Sequence, residues 1–423
     1  MLAFALPLLI AACDLGRVFD SPAGWSADAG AFERKLQAEG FRYTDSSQTV
    51  LNGLGRGRCT WHKLDVWEAR LYFGPERKVE RVELSLYNRG DDTSGQGIGA
   101  ETLDKLLAAA TAAAAGPDGK SGGAIERRKL KSGGYRCSRC FEKAACDIEL
   151  VWGVDSAKAK DLTADYVKVT LAPKGAPGKS ARAQAKAKPQ DNVRRNAQGD
   201  VWIDGVPMVD QGAKGYCAAA VAERVLRYFG ATVDEHEFAQ MAKTTAGGGT
   251  LVKDMIAAVK ALASRNRLAY QEIVSLGSSR QEIEKDIEQY NKAAKRLRKS
   301  EVSLEGCYAG STLMLNLVRE KFEPDVLLAM RVKDGRYRRF LTLVKAQIDK
   351  GVPVLWGVTL GLYPEPGLPQ SGGGHMRLII GYNAKTHEIL YSDTWGAGHE
   401  LKRMGEDKAF AMTHDAFFLR PLF

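Results

Sequence analysis

Helical and extended periods alternate along this chain, and its two halves use them differently. In the first half, FERKLQAEG (32–40) and ETLDKLLAAATAAAAG (101–116) carry apolar positions three and four apart and are predicted helices. Rough alternation of apolar and polar residues predicts strands around 59–74, 78–88, 124–130, 146–154 and 165–173. The order helix then strands occurs twice, a faint sign of duplication. Residues 20–172 are therefore read as one α+β unit. After it, 173–199 has three prolines and no apolar period, and reads as a flexible linker.

From residue 200 onward the helical period returns. Val221, Val225, Leu226 and Phe229 recur on one face of a helix that starts at Cys217, with Gly230 as its C-cap. Residues 278–300 form a highly charged helix with few apolar positions, expected to face solvent on most sides. Residues 340–361 read as a helix, a glycine stop at Gly351 and a buried strand. The loop PEPGLPQSGGG (364–374) then leads to His375, and would form one wall of a cleft or be a plain long turn.

Cys217 is the first candidate for chemistry. A thiol at a helix N-terminus meets unpaired backbone N–H groups and the positive end of the helix dipole, both of which favour thiolate. Taken alone, a cysteine is more often a small buried hydrophobe. A second constellation changes that balance. His375 opens the apolar run Met376 to Tyr382, Asn383 to Thr386 supply turn chemistry, and Ile389 to Ser392 run back to Asp393. This predicts a β-hairpin with Asp393 opposite or diagonal to His375, on one face if the loop holds an odd number of residues. A carboxylate beside an imidazole fixes its tautomer and stabilises the imidazolium, the third role in a set of nucleophile, base and orienter. Of the other histidines, His399 is the nearest rival, while His62, His236, His387 and His414 are expected mostly at the surface. No HExxH or paired-histidine spacing occurs, so neither a metal nor a cofactor is expected.

Taken together these segments resemble the papain-like cysteine peptidases. Gln211, Gly212 and Cys217 match that superfamily's glutamine, glycine and nucleophile spacing, GHMRLIIGYN its histidine strand, and SDTWG its NSWG segment. The glycine-rich form, with YCAAAVAERVLRYFG and GGGTLVKDMIAAVKAL, is most similar to the bacterial branch that includes double-glycine leader peptidases. The resemblance covers 200–423 and implies a helical part packed on an antiparallel sheet. It also implies Cys217 as nucleophile, His375 as general base and acid, Asp393 as orienter, and the Gln211 side chain with the Cys217 N–H as oxyanion donors. In that fold Trp395 would shield the imidazole; simple core packing explains it equally well. The implied substrate is a protein or peptide, cleaved through a thioester. A deamidase or transamidase built on the same residues, and a noncatalytic binding protein, are the alternatives.

Composition adds compartment and partners. With 423 residues there is room for two or three domains. The net charge of +10 is concentrated in the linker, where seven basic residues face Asp191 alone. No recognition motif accompanies this charge, so nucleic acid is not an expected partner. Residues 1–19 begin with an apolar run that suits an export signal, and Ile10 to Cys13 resemble a lipobox in which Cys13 would be lipidated. An exported location follows: periplasmic, extracellular or membrane-anchored. Cys59, Cys137, Cys140 and Cys146 then suggest two disulfides with three possible pairings, or a zinc site as runner-up. Cys307 is expected to be a lone thiol without a catalytic companion.

Overall fold

The computed structural model describes residues 13–26, 29–92, 97–116, 122–130, 133–156, 162–175, 188–212, 215–231, 235–244, 250–277, 279–310, 312–370 and 372–422. Most of the expected export segment and the middle of the expected linker lie outside them. The chain mixes helix and antiparallel sheet and is α+β. It falls into two compact units, one of residues 1–181, 212–215 and 239–254, the other of 182–211, 216–238 and 255–423.

The first unit is built on a nine-stranded antiparallel sheet. Strands Arg42–Tyr43, Val50–Leu54, Glu68–Phe73 and Val79–Asn88 form one meander, and Glu126–Lys129, Tyr135–Glu142, Cys146–Val154 and Thr163–Pro173 form another. The meanders join through their last strands, Val79–Asn88 pairing with Thr163–Pro173. Each follows a helix, Ala29–Ala38 or Ala100–Ala115, so the repeated order in the sequence is a repeated half-sheet in space. Ala110 and Ala114 are fully buried on the second helix, where small side chains let it lie close to the sheet. Sequence periodicity missed Val50–Leu54 and Tyr135–Glu142. The second holds CSRC, with two arginines interrupting any apolar alternation.

The disulfide and zinc expectations for Cys59, Cys137, Cys140 and Cys146 fail here, while Cys307 is a lone buried thiol as expected. All seven cysteines are free thiols. Cys137 is buried and Cys140 exposed, because a spacing of three on a strand sends them to opposite faces. No three of Cys59, Cys137, Cys140 and Cys146 bring their sulfurs to metal-binding distance. Cys13 is buried and stands in register with Cys59 on a parallel strand pair. Among the described residues no helix is long and apolar enough to cross a membrane.

The second unit holds an eight-stranded antiparallel sheet. Its main path runs Val193–Arg195, Asp200–Ile203, Gly373–Asn383, Val354–Leu360, Thr413–Pro421, Leu268–Ser275. Glu388–Ser392 pairs with Gly373–Asn383 and carries Lys402–Gly405 on its other side. Val193–Arg195 belongs to this sheet, so the expected linker ends earlier than 199: its basic side chains point outward while its backbone pairs. Helix Gly335–Ile348 buries Phe340, Val344 and Ile348 in the same core, and Gly351, at φ +71°, turns the chain into Val354–Leu360 as anticipated. The charged helix is Arg280–Leu297, and it is not merely a solvated rod. Ile283, Ile287, Tyr290 and Ala294 form a complete buried stripe against Val326, Leu327 and Met330, because four apolar residues at the right spacing suffice.

Candidate functional site

The helix Cys217–Tyr228 is buried nearly all round, with Ala219, Ala220, Val221 and Val225 fully inaccessible. It packs on strand Gly373–Asn383. Gly230, at φ +83°, is the residue after the cap rather than the cap itself. Its N–H bonds the carbonyl of Arg227 and the N–H of Ala231 that of Leu226, the paired bonds that close a helix on a left-handed glycine. Cys217, the first residue of the helix, stays partly exposed.

The hairpin forms as expected, but its geometry corrects one condition. Asn383 pairs with Glu388, so the loop Ala384 to His387 has four residues, an even number that would put Asp393 on the wrong face. A β-bulge repairs this: Ile379 faces Tyr391 while Gly381 faces Leu390, leaving Ile380 as an extra residue. Asp393 then lies on the His375 side, one residue beyond the last pair, Leu378 with Ser392.

The carboxylate and the imidazole meet. His375 Nε2 is 2.5 Å from Asp393 Oδ1, and both side chains are fully buried. Nδ1 is the ring nitrogen left for sulfur. Burial pushes the Cys217 thiol up, but the hydrogen bond and charge of His375, with the N–H groups of Met376 and Ala218, outweigh it and hold the thiol below its ordinary range. Burial likewise opposes charge on His375, yet Asp393 and Cys217 raise it to about 9. Among the described residues Nδ1 has no other hydrogen-bond partner. Burial raises Asp393, but His375, Arg377 and the Thr394 N–H together hold it below the usual carboxylate range.

Gln211 completes the set from the loop ahead of the helix. Its backbone N–H donates to the Thr394 carbonyl at 2.8 Å, and the Thr394 hydroxyl donates to its Oε1 at 2.5 Å. Trp395 stacks flat on the His375 ring, with centroids 4.3 Å apart. Of the two readings of Trp395, the geometry favours the shield.

Three of the other histidines have different surroundings. His399 sits edge-on behind Trp395, and burial and the Lys402 charge keep it below the usual imidazole range. His414 and His236 are buried, contrary to their expected surface location. His414 spends both nitrogens, on Asp415 at 2.8 Å and on the Val358 carbonyl at 2.9 Å, which is how a polar ring satisfies itself in a core.

Sequence reasoning missed two buried arginines. Arg224 ties the Cys217 helix to the Asp393 segment, donating to the Asp393 carbonyl and Ser392 Oγ at 2.6 Å each and to the Pro207 carbonyl at 2.8 Å. Arg377, fully inaccessible, places Nε 3.0 Å from Asp393 Oδ2 and Nη1 2.8 Å from Glu365 Oε2. The distances are those of ion pairs, although the angles fall short of hydrogen bonds. A signal existed for both, since each is a charge on the apolar side of its element: Arg224 seven residues after Cys217, Arg377 two after His375.

No family model matches the chain, and no curated protein matches it. Among solved structures it is similar to the peptidase domain of Streptococcus ComA, a bi-functional ABC transporter involved in a quorum sensing pathway. That likeness spans 52% of this chain and 100% of that one, at 12% identity and a TM-score of 0.25. It is also similar to xylellain, a cysteine protease from Xylella fastidiosa, over 56% of this chain and 90% of that one, at 11% identity and a TM-score of 0.27. Likenesses this distant transfer no activity.

Proposed function

We propose that this chain is a papain-like thiol peptidase that cleaves peptide bonds through a thioester on Cys217. One observation carries the reading: a buried carboxylate lies 2.5 Å from the imidazole of His375, and that imidazole holds a cysteine at a helix start below its ordinary thiol range. The Cys217 thiolate attacks the carbonyl carbon, and the carbonyl π electrons move to oxygen. The Gln211 amide and the Cys217 backbone N–H stabilise that oxyanion by preorganised donation. His375 gives its proton to the departing amine as the C–N bond breaks, then takes one from water attacking the thioester. Asp393 keeps the ring turned so that Nδ1 faces sulfur, and Trp395 keeps water off the ring.

The test has two parts. A thiol-directed peptidase inhibitor should label wild type at Cys217 far faster than a free thiol, with no labelling at that site in Cys217→Ala. A peptide library read by mass spectrometry should then show new termini. Glutamine converted to glutamate without new termini would replace the peptidase by a deamidase, and a Cys217 no faster than a free thiol would leave a binding protein.

A further inference from the structure

Asp393 is a buried carboxylate, and a buried carboxylate needs more than one imidazole to stay ionised. Its Oδ1 is taken by His375 and by the Thr394 N–H at 3.1 Å. Among the described residues its Oδ2 is paired with Arg377, whose guanidinium continues to Glu365. The Tyr391 hydroxyl donates to the same Glu365 oxygen at 2.5 Å, and its ring lies 4.7 Å under the Arg377 guanidinium. Alternating charges thus run from sulfur through His375, Asp393 and Arg377 to Glu365, each group fixed by the next. A neutral amide in the orienting role would need no such cation.

We propose that Arg377, anchored by Glu365, is a positioning residue that keeps Asp393 ionised and aimed at His375, and so maintains the Cys217 thiolate. This rests on the thiol peptidase reading. The other charges around Asp393 cannot substitute. Arg224, from the Cys217 helix, is spent on the Asp393 carbonyl oxygen rather than its carboxylate. His399 and Lys402, from the segment that follows, act only at longer range. Without Arg377, Asp393 and Glu365 are two buried carboxylates sharing a site with no cation between them, and one takes up a proton. A protonated Asp393 ceases to support the imidazolium, and the thiol loses its partner.

The test is the pH dependence of Cys217 alkylation by iodoacetamide, read by mass spectrometry on the full chain with Cys217→Ala as blank; no substrate is needed. In Arg377→Gln the midpoint should rise by about one pH unit or more. Arg377→Lys, which keeps the charge, should recover most of that shift. Arg377→Gln/Glu365→Gln should also recover part, because Asp393 then has no second carboxylate across the vacated guanidinium site. An Arg377→Gln midpoint equal to wild type overturns the proposal, and so does a double variant no better than the single; if Arg377→Gln does not fold, a Lys variant shifted as far as the folded double variant does the same. A wild-type midpoint at the ordinary thiol value would instead defeat the peptidase reading, so the two failures are distinguishable.

Discussion

The Trp395 indole covers the His375 imidazole face to face, the two planes within 1° of parallel. A cation on an indole face gains ~1–2 kcal/mol when water is excluded. The indole thus favours the charged imidazole while closing one side of it to solvent.

Replacing Trp395 with Ala should therefore lower kcat/KM about tenfold, since ~1.4 kcal/mol is a factor of ten. Trp395→Phe, which keeps a ring over the imidazole, should lose less. Steady-state kinetics on a cleaved peptide, with circular dichroism to confirm folding, measures both.

On the thiol peptidase reading, a thiolate–imidazolium pair sets the pH profile. The acid limb of kcat/KM should lie below the ordinary thiol range, where Cys217 gains its proton, and the alkaline limb near 9, where His375 loses its own. A rate that keeps rising through pH 9 would mean the imidazole is neutral in the working form.

Arg224 is a stability residue for the site. Arg224→Met leaves two backbone carbonyls and the Ser392 hydroxyl without their buried donor, and should cost ~1–3 kcal/mol for each acceptor left unsatisfied. Denaturant unfolding should show the loss, with Arg224→Lys intermediate because an ammonium cannot span all three acceptors.

Asp200 gives the fold an acid-sensitive joint. Arg403 approaches it at 2.6 Å and, with the amides of Asn196 and Asn383, holds its carboxyl well below the usual range against burial. A depressed folded value stabilises above the unfolded value of about 4 and is lost as pH falls through the folded one. Asp200→Ala should thus be less stable than wild type at neutral pH by about 1–3 kcal/mol. The gap in melting temperature should narrow below pH ~4.

Thiol counting checks the cysteine assignment. Denatured without reductant, the protein should titrate seven thiols. Native alkylation at neutral pH should modify Cys217 first and exposed Cys140 next, leaving Cys13, Cys59, Cys137, Cys146 and Cys307 until unfolding.

What was legible in the sequence was local. The helix start at Cys217, the turn at Asn383 to Thr386 and the return strand to Asp393 each follow from a short pattern of residues, and the side chains at their ends could be named from it. What was hidden depends on three dimensions. The extra residue Ile380 has no sequence mark, because a bulge is decided by pairing across the sheet. Glu365 reads as part of a proline-rich loop, and only folding brings it to Arg377. Disulfides were inferred from cysteine number and supposed compartment, whereas the faces of Tyr135–Glu142 separate Cys137 from Cys140. His414 looked like a surface residue beside polar neighbours, but its place on an inner strand decides its burial.

Because the hairpin reaches the right face only by adding one bulged residue to a four-residue loop, the segment from Ile379 to Tyr391 is constrained by count more than by identity. Most side chains in its turn can drift in relatives of this chain, whereas losing or gaining a single position would swing the carboxylate to the far side of the sheet. Homologues that keep the carboxylate beside the imidazole should therefore vary here in letters and stay fixed in length, or change the loop and the bulge together.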